Sequence, residues 1–260
     1  MKKSVLLVFI FLVFGCKSKD AKREVGNNRE VVSMGVGKSM EAVYFKGQGN
    51  EPFWDVSIGK DKVIFKSLIP GKERLEFIYV KPIRVMDANI KTYRLVSDLA
   101  ELSITISQGI CHDTMAEDVF DYGVEVEFKD KVTSDVSKMK GCGNYIADYR
   151  LQDIWLLETL NGQKVTSEDF AKQKPYLEID AKNKTFNGYL GCNDCNGKLF
   201  VENELLRFTD VVSTLKMCLP NNKEPEFLKA LQSATTYKIE NNRLVLLNPS
   251  KELLVFKKVD

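Results

Sequence analysis

Short runs of alternating apolar and polar residues recur along the chain from Ala42 onward. Such runs put an apolar side chain on one face at every second position, which is the period of a half-buried β-strand. Three runs predict strands in this way: "KVIFK" (62–66), "GVEVEF" (123–128) and "TYKI" (236–239). Two apolar runs near the C-terminus, "RLVLLN" (243–248) and "ELLVFKKV" (252–259), predict two more strands. The turn "NPSK" (248–251) joins the last two runs. The pattern predicts a mainly β fold.

One segment has the period of a helix instead. In "EPEFLKALQSAT" (224–235) the apolar residues Phe227 and Leu231 fall on one stripe, and Pro225 suits the first helical turn. A shorter stretch, "SEDFAKQ" (167–173), predicts a single turn of helix. The fold class is therefore α+β with strands dominating.

The folded part is long enough for two compact domains. A strand-rich, cysteine-bounded stretch ends near Ala147–Asp148, and "IWLLETLNG" then begins a fresh apolar run. We predict an antiparallel β domain over 42–147 and a second over 148–260, the second with one packed helix.

The first residues have the composition of a secretory signal peptide. Two lysines precede the apolar run Val5–Phe14, and Gly15 follows it. The run is too short to cross a bilayer, which needs roughly 20 apolar residues. We expect residues 1–15 to be removed.

The residue after this segment is a cysteine. "LVFGC" resembles a bacterial lipobox, and the resemblance implies cleavage before Cys16 and acylation of its thiol. Each buried CH₂ of such a chain contributes about 0.8 kcal/mol to membrane attachment. Residues 16–41 are polar and free of aromatic side chains, and predict a flexible tether. The expectation is a membrane-anchored lipoprotein of the bacterial cell envelope, in the outer membrane.

Charge and composition exclude several functional classes. Without residues 1–15 the chain has 36 basic and 36 acidic residues, because the two lost charges are lysines. A nucleic-acid-binding protein normally has a basic face, so nucleic acid is not expected as a partner. The sequence has no nucleophile elbow, phosphate-binding loop or dinucleotide fingerprint. We expect no enzyme activity, no cofactor and no metal.

Five elements in the second half follow one another in a recognisable order. They are a W-x-L motif from Trp155, "FNGYLGCNDCNG", "STLKMC", the predicted helix and the closing strands. The order resembles the META domain, the family of the heat-shock protein HslJ, over about residues 150–259. The family pattern G-C-N-x-x-x-G falls on Gly191, Cys192, Asn193 and Gly197, and the following T-x-x-x-C falls on Thr214 and Cys218.

The first half contains "GNEPFW", with Glu51, Pro52, Phe53 and Trp54. It resembles an uncharacterised domain of bacterial envelope lipoproteins, which brings no known chemistry. We expect Pro52 to open a strand whose two aromatic side chains enter the core. The alternative is an exposed aromatic edge of a ligand site.

Five cysteines remain once Cys16 is set aside. An exported protein favours disulfides, and we predict Cys111–Cys142 in the first half. Three pairings are possible in the second half, where Cys192 and Cys195 form a C-x-x-C. A redox role is disfavoured because a turn and a strand, not a helix, follow Cys195. The META pattern implies Cys192–Cys218 and leaves Cys195 as the odd thiol.

A possible metal site surrounds the single histidine, His112. Asp113 and Asp118 are the nearest candidate ligands, but one imidazole with carboxylates from a polar segment selects no particular metal. A solvated loop is the favoured interpretation.

These observations predict a non-catalytic envelope protein acting in stress tolerance or maintenance. Its expected partners are the membrane, through the anchor, and an unknown envelope protein or small ligand. Two alternatives remain. An inhibitor of a cell-wall lytic enzyme requires an exposed loop with an apolar or charged plug, and a carrier of small apolar ligands requires a cavity of at least about 300 Å³.

Overall fold

The computed structural model describes residues 43–113, 118–170 and 173–259. The signal peptide, Cys16 and the tether therefore lie outside the described residues. Within them the protein consists of two antiparallel sheets of nine strands each and one α-helix, which confirms the predicted fold class. No helix in the described ranges is long and apolar enough to cross a membrane.

The first sheet is built from nine strands in the spatial order β4-β3-β2-β1-β9-β8-β7-β6-β5. The strands are β1 (Val43–Asn50), β2 (Phe53–Gly59), β3 (Lys62–Ser67), β4 (Arg74–Ile78), β5 (Ile83–Arg84), β6 (Ile90–Val96), β7 (Ala100–His112), β8 (Val119–Asp130) and β9 (Val136–Tyr145). The only neighbours that are not consecutive in the chain are β1 and β9, so the sheet is built largely from hairpins.

The second sheet follows the same antiparallel plan. Its strands are β10 (Asp153–Leu160), β11 (Gln163–Lys164), β12 (Tyr176–Asp180), β13 (Thr185–Tyr189), β14 (Asp194–Glu202), β15 (Leu205–Ser213), β16 (Thr236–Glu240), β17 (Arg243–Asn248) and β18 (Lys251–Lys258). Strand β10 pairs with β12 on one side and with β18 on the other. The sheet therefore closes on itself, with the short β11 outside the ring.

The helix α1 (Glu224–Ser233) lies in the segment that joins β15 to β16. Its buried residues Phe227, Ala230 and Leu231 join the core of the second sheet. Pro225 occupies the first turn and Glu224 and Glu226 lie at its positive end, as the sequence predicts. The predicted turn of helix near 167–173 is a short 3₁₀ turn at Ser167–Asp169.

Each sheet has its own apolar core. The first contains Phe45, Trp54 and Tyr93, and the second contains Trp155 and Phe227. All five predicted runs are strands, and the buried residues alternate along β3 and β8 as the sequence indicates. The segment between the cores contains a 3₁₀ turn at Tyr149–Leu151 that Asp148 caps through its side chain. That the two halves fold independently stays a prediction.

Candidate binding site

The loop after β15 presents three large apolar side chains to solvent. Leu215 is 98% exposed, Met217 is fully exposed and Leu219 is 63% exposed. Isolated apolar residues on a surface are common, but three at alternate positions of one loop form a patch of the kind that marks an interaction site. We call residues 214–222 the apolar loop.

A disulfide and a buried asparagine fix the base of the apolar loop. Cys218 is bonded to Cys192, the pairing that the sequence resemblance implied. Asn193, next to Cys192, is buried, and its Oδ1 accepts hydrogen bonds from the Thr214 hydroxyl (2.8 Å) and the Lys216 backbone N–H (2.7 Å). The Asn193 side chain therefore fixes the loop at Thr214 and Lys216, the residues on either side of Leu215.

The same asparagine connects the loop to the start of helix α1. Its Nδ2 donates to Glu224 Oε1 and its backbone N–H donates to Glu224 Oε2, both at 2.7 Å. Strand, loop and helix thus meet at one amide group, with a charge-assisted hydrogen bond to the carboxylate. This arrangement explains physically why the motif has an asparagine: its side-chain amide supplies a donor for Glu224 and, on a separate atom, an acceptor for Thr214 and Lys216.

The charged groups around the apolar loop are paired with one another. Lys216 contacts Asp194 at 2.5 Å, and this hydrogen bond raises the pKa of the Lys216 ammonium. Lys223 contacts Asp169 at 2.7 Å and is the main reason that the pKa of the Asp169 carboxyl falls to about 2. The exposed apolar side chains are therefore the main feature of this surface that lacks a partner within the described residues.

Two glycines of the motif are required by close packing. Gly191 has φ +113°, and a Cβ there would lie 2.1 Å from the Phe170 ring. A Cβ at Gly197 would lie 2.6 Å from the Phe186 ring and 2.8 Å from the Thr209 carbonyl oxygen. Any larger residue at Gly191 would strain the turn that leads into Cys192.

Cys195 is a buried free thiol in β14. Burial, followed by the nearby Asp194 and Glu224 carboxylates, raises the pKa of its thiol to about 12. A protonated, buried thiol is a poor nucleophile. Cys195 and the following "NG" lie within a strand, where the sequence suggested a turn, because β14 begins at Asp194. The pairing with β15 shifts between Asn196 and Lys198, and the extra residue lies on β15, between Thr209 and Val212.

In the described ranges, three potential metal-binding side chains come together only at Cys192, Cys218 and Glu224. Both sulfurs are already in the disulfide, so this group lacks the thiolates that a metal would need. The sequence candidates around His112 are arranged differently. His112 is exposed at the end of β7, while Asp113 accepts hydrogen bonds from Gln48 and Asn50 of β1.

One expectation for the N-terminal motif, that both of its aromatic side chains are buried, is wrong. Trp54 lies in the core with 4% exposure, but Phe53 is 50% exposed, so only one of the two aromatic side chains is buried. The physical reason is that consecutive residues of a strand face opposite sides, and both residues lie in β2. Glu51 and Pro52 are exposed in the turn before β2. The disulfide predicted for this half, Cys111–Cys142, is present.

A second group of polar side chains joins the two sheets. Glu202, at the end of β14, is 4% exposed. Its Oε1 accepts from Asn89 Nδ2 and the Tyr122 hydroxyl, both at 2.6 Å, and its Oε2 accepts from Lys91 Nζ at 2.5 Å. Lys91 and Tyr122 belong to the first sheet and Asn89 to the bend before β6, whereas Glu202 belongs to the second sheet. We call Glu202 and these donors the intersheet cluster.

Burial dominates the electrostatics of the intersheet cluster. It lowers the pKa of Lys91, although Glu202 opposes this by favouring the charged ammonium. It raises the pKa of Tyr122, and the Glu202 carboxylate that accepts a hydrogen bond from the Tyr122 hydroxyl raises it further. Lys91 also lies 4.9 Å from the centroid of the Tyr145 ring, a cation–π distance. The two charged groups of the cluster, Lys91 and Glu202, are hydrogen-bonded to each other across the two sheets.

Comparison with known proteins gives an independent view of the second half. Residues 150–260 match the sequence model of the META domain family. The C-terminal half carries a META domain. This confirms the resemblance found in the sequence, and the signature residues of the META domain are those that build the base of the apolar loop.

Comparisons with curated proteins and with solved structures identify no further family. No curated protein matches the chain. A solved structure, described only as an NMR structure of a protein, aligns with 42% of this chain and 90% of its own length, at 24% identity and a TM-score of 0.34.

Sequence reasoning found part of the site. It identified Gly191, Cys192, Asn193, Thr214 and Cys218, which the structure brings together. It also identified Trp155, which is buried and donates its indole N–H to the Leu151 carbonyl. It missed the exposure of the apolar loop, although "TLKMCLP" does show the alternation. It also missed Glu202, because a glutamate next to a polar turn has the sequence pattern of a solvated residue.

Proposed function

We propose that this protein is a non-catalytic, lipid-anchored protein of the bacterial cell envelope that acts by binding another envelope protein through its apolar loop. The observation that carries the proposal is the exposure of Leu215, Met217 and Leu219 on a loop fixed by the Cys192–Cys218 disulfide. The lipobox-like sequence at Cys16 supports the lipid anchor. The META domain in the second half supports the role in stress tolerance or maintenance, because the family includes a heat-shock protein.

A rigid apolar projection suits a protein cleft better than a bilayer. The Asn193 contacts order the loop before binding, so little conformational entropy is lost on association. Among the described residues, the neighbouring Lys216 and Lys223 are paired with Asp194 and Asp169, which weakens their attraction for anionic lipid headgroups.

One alternative gains specific support. An inhibitor of a cell-wall lytic enzyme would need an exposed loop with an apolar plug, and the apolar loop has that form. A carrier of small apolar ligands is less well supported, since large aromatic side chains such as Trp155 and Phe186 occupy the interior of the second sheet.

The test of the inhibitor alternative is direct binding to purified cell-wall lytic enzymes. The mature protein should bind and inhibit at least one of them, and the variant L215S/M217S/L219S should bind at least tenfold more weakly, since hot-spot side chains contribute about 2 kcal/mol or more each. The control is I83S/V85S/M86S, which alters three exposed apolar residues of the first domain. Equal loss of binding in both variants would contradict the assignment to the apolar loop.

The anchor is tested separately. Mass spectrometry of the mature protein should find a lipid-modified Cys16 at the N-terminus, and C16S should abolish membrane attachment or processing. An unmodified Met1 would refute the anchor without affecting the loop.

A further inference from the structure

A cleft of about 540 Å³ lies at the seam between the two sheets. One wall comes from β7 and β8 of the first sheet, and the other comes from β13, β14 and β15 of the META domain with the turn before them. Clefts of about 300–1,000 Å³ accommodate small ligands, and they occur preferentially at domain interfaces. The cleft is separate from the apolar loop.

The META wall presents a row of polar side chains. Lys198 pairs with Thr185 of β13 and with Thr209 of β15, so the three lie side by side across three strands. Phe200 is two residues further along β14 on the same face, and its half-buried ring also lines the cleft. The row therefore offers an ammonium, two hydroxyls and an aromatic surface.

The opposite wall is opened by an irregularity in β7. The pairing with β8 shifts between Gln108 and Cys111, and Gly109 within this bulge has no atom within 4 Å of the position of a Cβ. Bulges are frequent beside functional sites, because they redirect the strand. On this wall Asp121 forms an ion pair of 3.1 Å with Lys184 of the META wall, which spans the cleft.

The backbone is left-handed at the lining residue Lys184 and at Asp210, which lies outside the lining. Lys184 has φ +53° and Asp210, which pairs with Lys198 at 3.3 Å, has φ +52°. Both lie in the left-handed region, where a residue with a side chain is disfavoured. Strain of this kind concentrates at binding sites.

The intersheet cluster fixes the positions of residues that line the cleft. Glu202 fixes the hydroxyl of Tyr122, one of the residues that line the cleft. Asn89 donates both to Glu202 and to the side-chain oxygen of Gln108, another lining residue. The two walls are therefore positioned before any ligand arrives.

We propose that this cleft binds a saccharide that carries a carboxylate. Hydroxyls and amides recognise sugar hydroxyls, Phe200 offers an apolar ring for a sugar face, and Lys198 and Lys184 supply the cations for the carboxylate. Lys184 is paired with Asp121, and Lys198 is paired with Asp210. An ammonium has three donors, so Lys184 keeps Asp121 while binding a second acceptor.

The experiment is calorimetric titration of the mature protein with two disaccharides. N-acetylglucosaminyl-N-acetylmuramic acid has a lactyl carboxylate, and N,N′-diacetylchitobiose has the same sugar backbone without it. The acidic disaccharide should bind at least tenfold more tightly than the neutral one, and K198A should remove about that tenfold preference, the size of a hydrogen bond to a charged group. K182A, in the same turn as Lys184 but outside the cleft, should bind like the wild type.

A pair of glycine variants tests the location. G109L fills the cleft mouth, and G123L adds the same side chain at another glycine of the sheet with open space around it and no place in the lining. G109L should abolish binding and G123L should preserve it. Binding that survives G109L, a neutral disaccharide that binds as tightly as the acidic one, or no binding of either disaccharide would each overturn the proposal.

Discussion

Replacing Asn193 by alanine should destabilise the META domain and free the apolar loop. The substitution removes the hydrogen bonds from the side chain to Glu224 (2.7 Å), from Thr214 (2.8 Å) and from the Lys216 backbone (2.7 Å). The bond to a carboxylate is worth about 1.5–3 kcal/mol and each neutral bond about 1 kcal/mol.

Water that replaces Asn193 as a hydrogen-bond partner reduces the total loss of stability. Thr214 and Lys216 are exposed, so water can replace Asn193 as their partner, whereas Glu224 is half-buried and recovers less. We therefore expect the free energy of unfolding to fall by about 2–4 kcal/mol. With a urea dependence of about 1–3 kcal/mol per molar, the midpoint should move by roughly 1–2 M.

The assay is urea unfolding of the mature protein followed by fluorescence, with N196A as the control. Asn196 is an exposed asparagine in the same strand, and its loss should change stability by less than about 0.5 kcal/mol. N193D should destabilise as well, because it turns the donor towards Glu224 into a second carboxylate. An N193A variant as stable as N196A would refute the role assigned to this amide.

Three further predictions concern other parts of the chain. E202A should lower stability by about 3–5 kcal/mol by leaving the buried Lys91 without its carboxylate, whereas E204A, at an exposed position, should have little effect in the same denaturation assay. The Cys195 thiol should resist aromatic disulfide reagents at pH 8 until the protein unfolds. Because its folded pKa of about 12 lies above its ordinary value, the unfolded state releases the proton first, and stability should fall between pH 9 and pH 12 in the wild type but less in C195A. A fragment of residues 148–260 should unfold cooperatively by itself, since its core is separate, and solubility only in the intact chain would contradict independent folding.

The sequence was informative wherever period and spacing determine structure. Strand alternation located β3, β8 and β16, two apolar runs located β17 and β18, and the spacing of Phe227 and Leu231 located the helix. Phe53 shows the limit of composition: an aromatic pair suggested two core residues, but strand geometry allows only one of two neighbours to face the core.

Long-range polar contacts were beyond reach for a different reason. Glu202 and Lys91 are 111 positions apart, and each is a residue type that is nearly always solvated unless it is paired. Only the relative placement of the two sheets reveals that they neutralise each other. Similarly, the sequence motif identified Asn193 but not the hydrogen bonds that its side chain makes, because its partner Glu224 lies 31 positions along the chain.

Crosslinking in intact cells tests most directly whether the apolar loop contacts a protein. A photoreactive residue placed at Met217 should give one discrete protein adduct, and L215S/L219S should suppress it. The same residue at Met86, an equally exposed methionine of the first domain, should not give that adduct. Adducts with lipid alone, no adduct from position 217, or the same adduct from both positions would contradict the account.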